Sequence, residues 1–168
     1  MMSQSNVTIG LVNPKSPINV GSVLRAAGCF QVNAIFYTGE RYDRAKRFQT
    51  DTKSTALQIP LTGVTSLLEN TPKDHCLVCV ELVEGATPLP DFVHPENAYY
   101  VFGPEDGTLT QATIDRADAV VYIPTTGCLN LAATVNIVLY DRLAKSSKNI
   151  ASNELIRKSR DTNNRVKI

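Results

Sequence analysis

The stretch YIPTTGCLNLAATVNIVLYDRL, residues 122–143, carries the clearest fold signal in the chain. It opens on the end of an apolar run, AVVYIP (119–124), and turns through a Pro-Thr-Thr-Gly loop. From Asn130 onward, Leu131, Val135, Val138, Leu139 and Leu143 then recur at helical spacing. No Gly or Pro interrupts residues 130–144, so a helix is expected there with Asn130 as its cap. A strand, a loop at its carboxyl end and a helix make up the repeating unit of a parallel α/β sheet.

Outward from this stretch the unit recurs. Apolar runs bounded by turn residues stand at VTIGLV (7–12), AIFYT (34–38), CLVCVEL (76–82) and AYYVFG (98–103). Several are continuous enough to be strands buried on both faces. Helical patterns lie between strands at 19–30, 64–70 and 110–118. The expected fold class is α/β: one domain over residues 1–145 with a mostly parallel sheet flanked by helices, and an extension over 146–168.

The bulk properties fit that reading. A chain of 168 residues has room for one domain with a sizeable core. Its 43% hydrophobic and 20% charged residues are the balance of a globular protein rather than a disordered or fibrous one. The start MMSQSNVTIGLV lacks the basic residues and apolar run of a signal peptide. No apolar stretch reaches the roughly 18 residues of a membrane span. The expectation is a cytoplasmic protein with no membrane partner. Cys76 and Cys79 form a C-x-x-C, but on a strand that spacing points the two thiols to opposite faces. No second pair completes a zinc site, so no metal is expected.

Charge is unevenly spread. The segment 145–168 sets Lys145, Lys148, Arg157, Lys158, Arg160, Arg165 and Lys167 against Glu154 and Asp161 alone, leaving the rest of the chain mildly acidic. Residues 39–56 add Arg41, Arg44, Lys46, Arg47 and Lys53 in a polar stretch read as a solvated loop or short helix. Such clusters suit a polyanionic partner, although a basic tail also serves as a plain solubilising end.

Three strand ends depart from plain scaffold. NPKSPINVGSVLRAAG (13–28) places Asn13 directly after the first strand, with Asn19 as a candidate helix cap, Gly21 as a point of close backbone approach, and Arg25 inside an Ala- and Val-rich helix. Arginine is rarely buried unless paired, so Arg25 either faces water or is put to use. VFGPEDGTL (101–109) ends a strand in Gly103-Pro104-Glu105 and turns at Gly107. The third is the opening stretch. Neither the G-x-G-x-x-G fingerprint nor a P-loop is present, which disfavours a nucleotide-binding oxidoreductase or an NTPase. Ligands of parallel sheets bind beyond the carboxyl ends of strands, where all three segments lie.

These segments resemble the three motifs of the TrmH-like (SpoU) branch of the SPOUT RNA methyltransferases. Asn13 followed by Asn19, Gly21 and Arg25 is similar to the first motif. Phe102 to Glu105, with Gly107 and Leu109, is similar to the second, which more often has Gly-Leu where this chain has Gly-Thr-Leu. Ile123, Pro124, Gly127 and Leu129-Asn130 are similar to the third, with Cys128 in place of the usual serine. The resemblance spans about residues 7–143. It implies a SPOUT fold with a C-terminal trefoil knot, a homodimer with active sites at the subunit interface, and S-adenosyl-L-methionine held by Leu82, Gly103, Ile123, Cys128 and Leu129.

The implied reaction methylates a ribose 2′-hydroxyl of RNA, with tRNA favoured over rRNA for so short a chain. The resemblance makes Arg25 the central catalytic residue, with Asn13, Glu105 and Asn130 orienting it, the ribose or the loops. Since arginine stays protonated, holding a phosphate and aligning the hydroxyl fits its chemistry better than taking a proton. Neither His75 nor His94 looks placed to act as a base. RNA contacts are expected from Arg25, Arg41, Arg44, Lys46 and Arg47, and from the tail. A non-catalytic RNA-binding protein of the same fold is the competing reading.

Overall fold

Five consecutive buried residues, Val7–Leu11, form the first strand, β1. A strand buried on both faces must be covered by helices or loops on each side, which fits parallel pairing. The computed structural model describes residues 6–46, 59–148, 150–160 and 165–168. Its strands are β1, β2 (Ala34–Tyr37), β3 (Leu61–Gly63), β4 (Cys76–Val80), β5 (Thr87–Pro88), β6 (Ala98–Phe102) and β7 (Ala119–Tyr122). They form one sheet in the order β3-β2-β1-β6-β4-β7-β5, with every pairing parallel.

Helices α1 (Pro17–Cys29) and α4 (Leu131–Lys145) pack against each other. Their buried residues, among them Val20, Val23 and Ala27 of α1 and Val135, Val138 and Leu139 of α4, join one core cluster with Ile9, Leu11, Tyr100 and Phe102 of the sheet. Each of the Val, Leu, Ile and Phe side chains among them contributes about 1.5–3 kcal/mol by burial. The opposite cluster holds Leu67, Leu77, Cys79, Tyr99, Val101 and Leu109, with Ile114 of α3 (Gln111–Asp115) packed against it. The alternation of Tyr99 and Val101 with Tyr100 and Phe102 is the two-residue period of β6, with both faces covered. Two short helices remain: α2 (Arg41–Lys46), and α5 (Asn153–Ser159), whose residues are all exposed. Among the described residues no helix is long and apolar enough to cross a membrane.

Several local expectations change. Residues 64–70 form turns rather than a helix: Asn70 and Thr71 donate to the carbonyls three residues back, and Ser66 Oγ accepts from the Glu69 N–H. Eight residues between Gly63 and Pro72 leave little length for helix, and the Ser66 and Asn70 side chains compete for the backbone. The helix expected over 110–118 is only Gln111–Asp115, because Asp118 leaves it to accept the Leu77 N–H at 2.7 Å. The cap of α1 is Ser16, whose side chain accepts the Asn19 N–H, so Asn19 is not the cap. Pro17 occupies the first turn, where a missing N–H costs nothing. Strands β3 and β5, three and two residues long, had no sequence signal. Cys76 is exposed and Cys79 buried, on opposite faces as expected, and no metal-ligating cluster occurs among the described residues.

Candidate active site

The carboxyl ends of β4, β6 and β7 open into a cleft of about 160 Å³. Leu82, Gly103, Glu105, Ile123, Cys128 and Leu129 all line it. Parallel pairing is what brings residues so distant in sequence to one edge. The cleft is fastened by a residue that the sequence reading passed over. Glu81, just past β4, accepts the Leu82 N–H on Oε1 at 2.9 Å and the Leu109 N–H on Oε2 at 3.0 Å. Its own N–H donates to the Val121 carbonyl at 3.0 Å. A Cβ on Gly103 would lie 2.5 Å from Glu81 Oε2, so only glycine fits there without moving the carboxylate. The available signal was a lone carboxylate closing the apolar run CLVCVEL.

Beside this cleft lies the loop after β1. Asn13 adopts φ +44°, a left-handed conformation that asparagine tolerates better than most residues. Its N–H donates to Thr38 Oγ1 at 3.2 Å. Its carbonyl accepts from Arg41 Nε at 3.1 Å and Nη2 at 2.5 Å. The Asn13 side chain presses on Gly39, at φ +77°, where a Cβ would stand 2.1 Å from Asn13 Oδ1. That Oδ1 is buried and has no hydrogen-bond partner among the described residues.

One contact joins the first and second motifs directly, and a second joins the second motif to Arg41 at the start of α2. Asn19 Nδ2 donates to Glu105 Oε1 at 2.9 Å, and Arg41 Nη1 meets both carboxylate oxygens of Asp106 at 2.8 Å. The Arg41 guanidinium accordingly holds the Asp106 carboxyl below its usual range. In the third motif, Asn130 Oδ1 accepts the Ala133 N–H at 2.7 Å as the cap of α4, and Thr125 Oγ1 donates to the Gly127 carbonyl at 2.6 Å. Cys128 is exposed on that loop.

Arg25 lies on the solvent side of α1, opposite Val20, Val23, Ala26 and Ala27. It makes no hydrogen bond or ion pair among the described residues. Ile18, 72% exposed, and Gly21 share that side.

The sequence pattern of the SpoU rRNA methylase family matches residues 6–140, nearly the whole sheet and its loops. The chain belongs to this family. Solved structures agree in fold. The TrmH/SpoU tRNA modifying enzyme of A. aeolicus superposes with a TM-score of 0.68 at 19% identity, covering 92% of this chain and 85% of that one. A structure described as giving insights into 2-OH methylation of C/U34 on tRNA has a TM-score of 0.67 at 21% identity, with 86% and 92% covered. An AdoMet-bound rRNA methyltransferase of Sinorhizobium meliloti has a TM-score of 0.70 at 18% identity, covering 84% of this chain. The chain spans 57% of the length of that protein, and 61% of the SpoU methyltransferase AviRb from Streptomyces viridochromogenes. No curated protein sequence matches it.

Elsewhere in this SpoU family member, the cations expected to meet RNA differ in their setting. Arg44 pairs with Glu40, and Lys46 with Asp43 at 2.7 Å while lying 5.1 Å from the Tyr42 ring centroid. Both remain exposed, whereas Arg41 is drawn into the loop contacts above. Arg47 and Lys53 lie outside the described residues. A larger cavity of about 590 Å³ opens at the other end of the sheet, where His94, Arg142 and Lys145 are bonded within the chain. His94 meets Tyr100 Oη at 2.6 Å and Asp141 Oδ2 at 2.8 Å, and Arg142 donates to the Pro95 and Glu96 carbonyls. Burial holds the His94 pKa below its usual value, against the pull of Asp141. His75 contacts the Lys73 carbonyl before β4. Neither histidine lines the strand-end cleft. Burial also pushes the Cys79 thiol up to about 12, leaving it inert.

Proposed function

We propose that the chain is an S-adenosylmethionine-dependent methyltransferase acting on a ribose 2′-hydroxyl of RNA, with tRNA favoured over rRNA. The observation that carries this reading is the shared cleft: Leu82, Gly103, Ile123, Cys128 and Leu129, drawn from three strand ends, line one space with Glu105. Its walls suit the cofactor. Leu82 and Leu129 offer apolar surface, and Glu81, whose carboxylate accepts the Leu82 and Leu109 N–H groups, adds negative charge to the lining. Cys128, in place of serine, contributes main-chain groups but no hydroxyl. When bound, S-adenosylmethionine supplies a methyl group already activated for transfer.

The chain's own part is positioning and binding. Arg25 is a permanent cation with a planar fork of donors, suited to gripping a phosphate and aligning the ribose hydroxyl. Its lack of a partner among the described residues supports a partner from outside. Asn19, joined to Glu105, places the start of the Arg25 helix against the cleft. Asn13, Glu105 and Asn130 orient the loops around it. Arg44, Lys46, Arg47 and the extension 146–168 supply phosphate contacts, which make affinity salt-dependent.

A homodimer of cytoplasmic location and the C-terminal trefoil knot of the fold belong to the same reading. Exposed Ile18 on α1, and Ile137 and Tyr140 on α4, lie on helices packed side by side and support pairing of two copies. The order of β6 and β7, each returning inward between earlier strands, supports the knot.

Calorimetry with S-adenosylmethionine, with NAD as control, tests the cofactor: absence of binding to the former sinks the reading. Mapping ribose methylations lost from total RNA of a deletion strain then identifies the substrate. Arg25→Lys keeps the charge and removes the fork. It is expected to cut methylation at least tenfold with cofactor binding unchanged, and near-wild-type methylation would remove Arg25 from its role.

A further inference from the structure

By sequence, Arg41 is one of several cations facing RNA. Its geometry says otherwise. All three guanidinium nitrogens donate inside the chain: Nε and Nη2 to the Asn13 carbonyl, and Nη1 to both oxygens of the Asp106 carboxylate. The side chain is only 30% exposed. Arg41 opens α2 beyond β2, Asn13 follows β1, and Asp106 follows β6. One guanidinium therefore ties together three loops at the same sheet edge.

What it holds is a strained loop. Asn13 stands at φ +44°, its N–H is taken by Thr38, and its side chain is wedged against Gly39. Its carbonyl direction is fixed by Arg41. Left-handed backbone on a non-glycine residue persists when the surroundings over-determine it. On the other side, Asp106 neighbours Glu105, which lines the cleft and bonds Asn19 at the start of the Arg25 helix. The loop of Asn13 and the loop of Glu105 are thus held at one spacing by Arg41–Asp106 and Asn19–Glu105.

We infer that Arg41 is a positioning residue, not a phosphate contact: it sets the spacing of the Asn13 and Glu105 loops around the reacting ribose. This rests on the methyltransferase reading above. A guanidinium does this where an ammonium does not, because the work needs donors in a fixed planar fork directed at two acceptors at once. Asp106 is its counterpart, an acid beside the surface that the proposed function gives to polyanionic RNA.

The test compares wild type with Arg41→Gln, Arg41→Lys and Asp106→Asn, using tritiated S-adenosylmethionine and total tRNA from a deletion strain. A loop displaced by about 1 Å costs on the order of 100-fold in rate. The inference expects kcat to fall 10- to 100-fold in Arg41→Gln, with KM for RNA within about twofold and no recovery in Arg41→Lys. Asp106→Asn is expected to lower kcat in the same direction although it removes a negative charge. Combined with Arg41→Gln it should add little further loss. A phosphate contact gives the opposite pattern: KM rises, kcat holds, Arg41→Lys restores binding, and the salt slope of RNA affinity falls by about 1. That pattern overturns the inference. Amide hydrogen exchange in peptides covering 11–16 and 103–109 needs no activity. Faster exchange in both segments of Arg41→Gln and Asp106→Asn supports the bridge, and unchanged exchange overturns it. A wild-type protein that fails to bind S-adenosylmethionine overturns the function instead, so the two failures are told apart.

Discussion

Gly103→Ala puts the design of the cleft under direct strain. The added Cβ would lie 2.5 Å from Glu81 Oε2, closer than any stable contact, so the carboxylate must swing away. Its Oε2 then releases the N–H of Leu109, a residue only 7% exposed. A hydrogen bond to a charged group contributes about 1.5–3 kcal/mol, and a buried donor left unmet forfeits a similar amount. Gly103→Ala should therefore cost about 2 kcal/mol. For a chain of this length that lowers Tm by about 4–8 °C. If the distortion is carried fully into the cleft, the same energy weakens S-adenosylmethionine binding about thirtyfold. Scanning calorimetry reads the first quantity and titration calorimetry the second. The reasoning is checked by a cycle with Glu81→Ala, in which the contact is already absent. There the alanine at 103 meets no carboxylate, so the double variant should be no less stable than Glu81→Ala alone, a coupling of about 2 kcal/mol. Losses that add to within about 0.5 kcal/mol would refute displacement of Glu81 as the cause.

Two further outcomes follow from buried polar groups. The Tyr99 hydroxyl is buried without a hydrogen-bond partner among the described residues, so Tyr99→Phe should stabilise by about 1 kcal/mol in urea unfolding, and a loss of stability would contradict this. His94 is buried with its pKa below 6.5, facing Tyr100, Asp141, Arg142 and Lys145. The unfolded chain therefore takes up the proton first, so stability is full above about pH 6.5 and declines as pH falls toward the folded value. His94→Gln should flatten the stability profile between about pH 7 and pH 5, and an unchanged slope would place its origin elsewhere.

How much of this was legible in sequence depends on range. The long strands were, because a parallel strand covered on both faces must be apolar throughout, as Val7–Leu11 and Ala98–Phe102 are. The strand-end loops were too, since Asn, Gly and Pro punctuate the chain where the backbone must turn. Strands β3 and β5 were not: two or three residues are too few to show a period, and neighbours select them rather than their own composition. The α1 cap is Ser16 rather than Asn19, because both are capping residue types and Ser16 directly before Pro17 is the stronger local signal. Glu81 and the true setting of Arg41 depend on partners 28 to 65 residues away, which no local pattern encodes.

The helix of Arg25 shows how a local cost points outward. Gly21 sits inside α1, where glycine is about 1 kcal/mol less favourable than alanine. Among the described residues a Cβ there would find no atom within 4 Å outside its own helix backbone, so their packing does not require glycine. Asn13 and Gly39, by contrast, account for each other through a direct steric fit. One turn beyond Gly21, Arg25 spends none of its five donors on the described chain. A residue with unneeded space and a cation with unspent donors lie four apart, on the same solvent-facing side of one helix. Each is an inefficiency for a chain standing alone, and each is removed by a surface that comes close to the backbone at Gly21 while presenting anionic oxygen to Arg25. On the proposed function, RNA is the anionic surface and a second copy beside Ile18 the close neighbour, and Arg25→Lys together with the oligomeric state in solution tests the two parts separately.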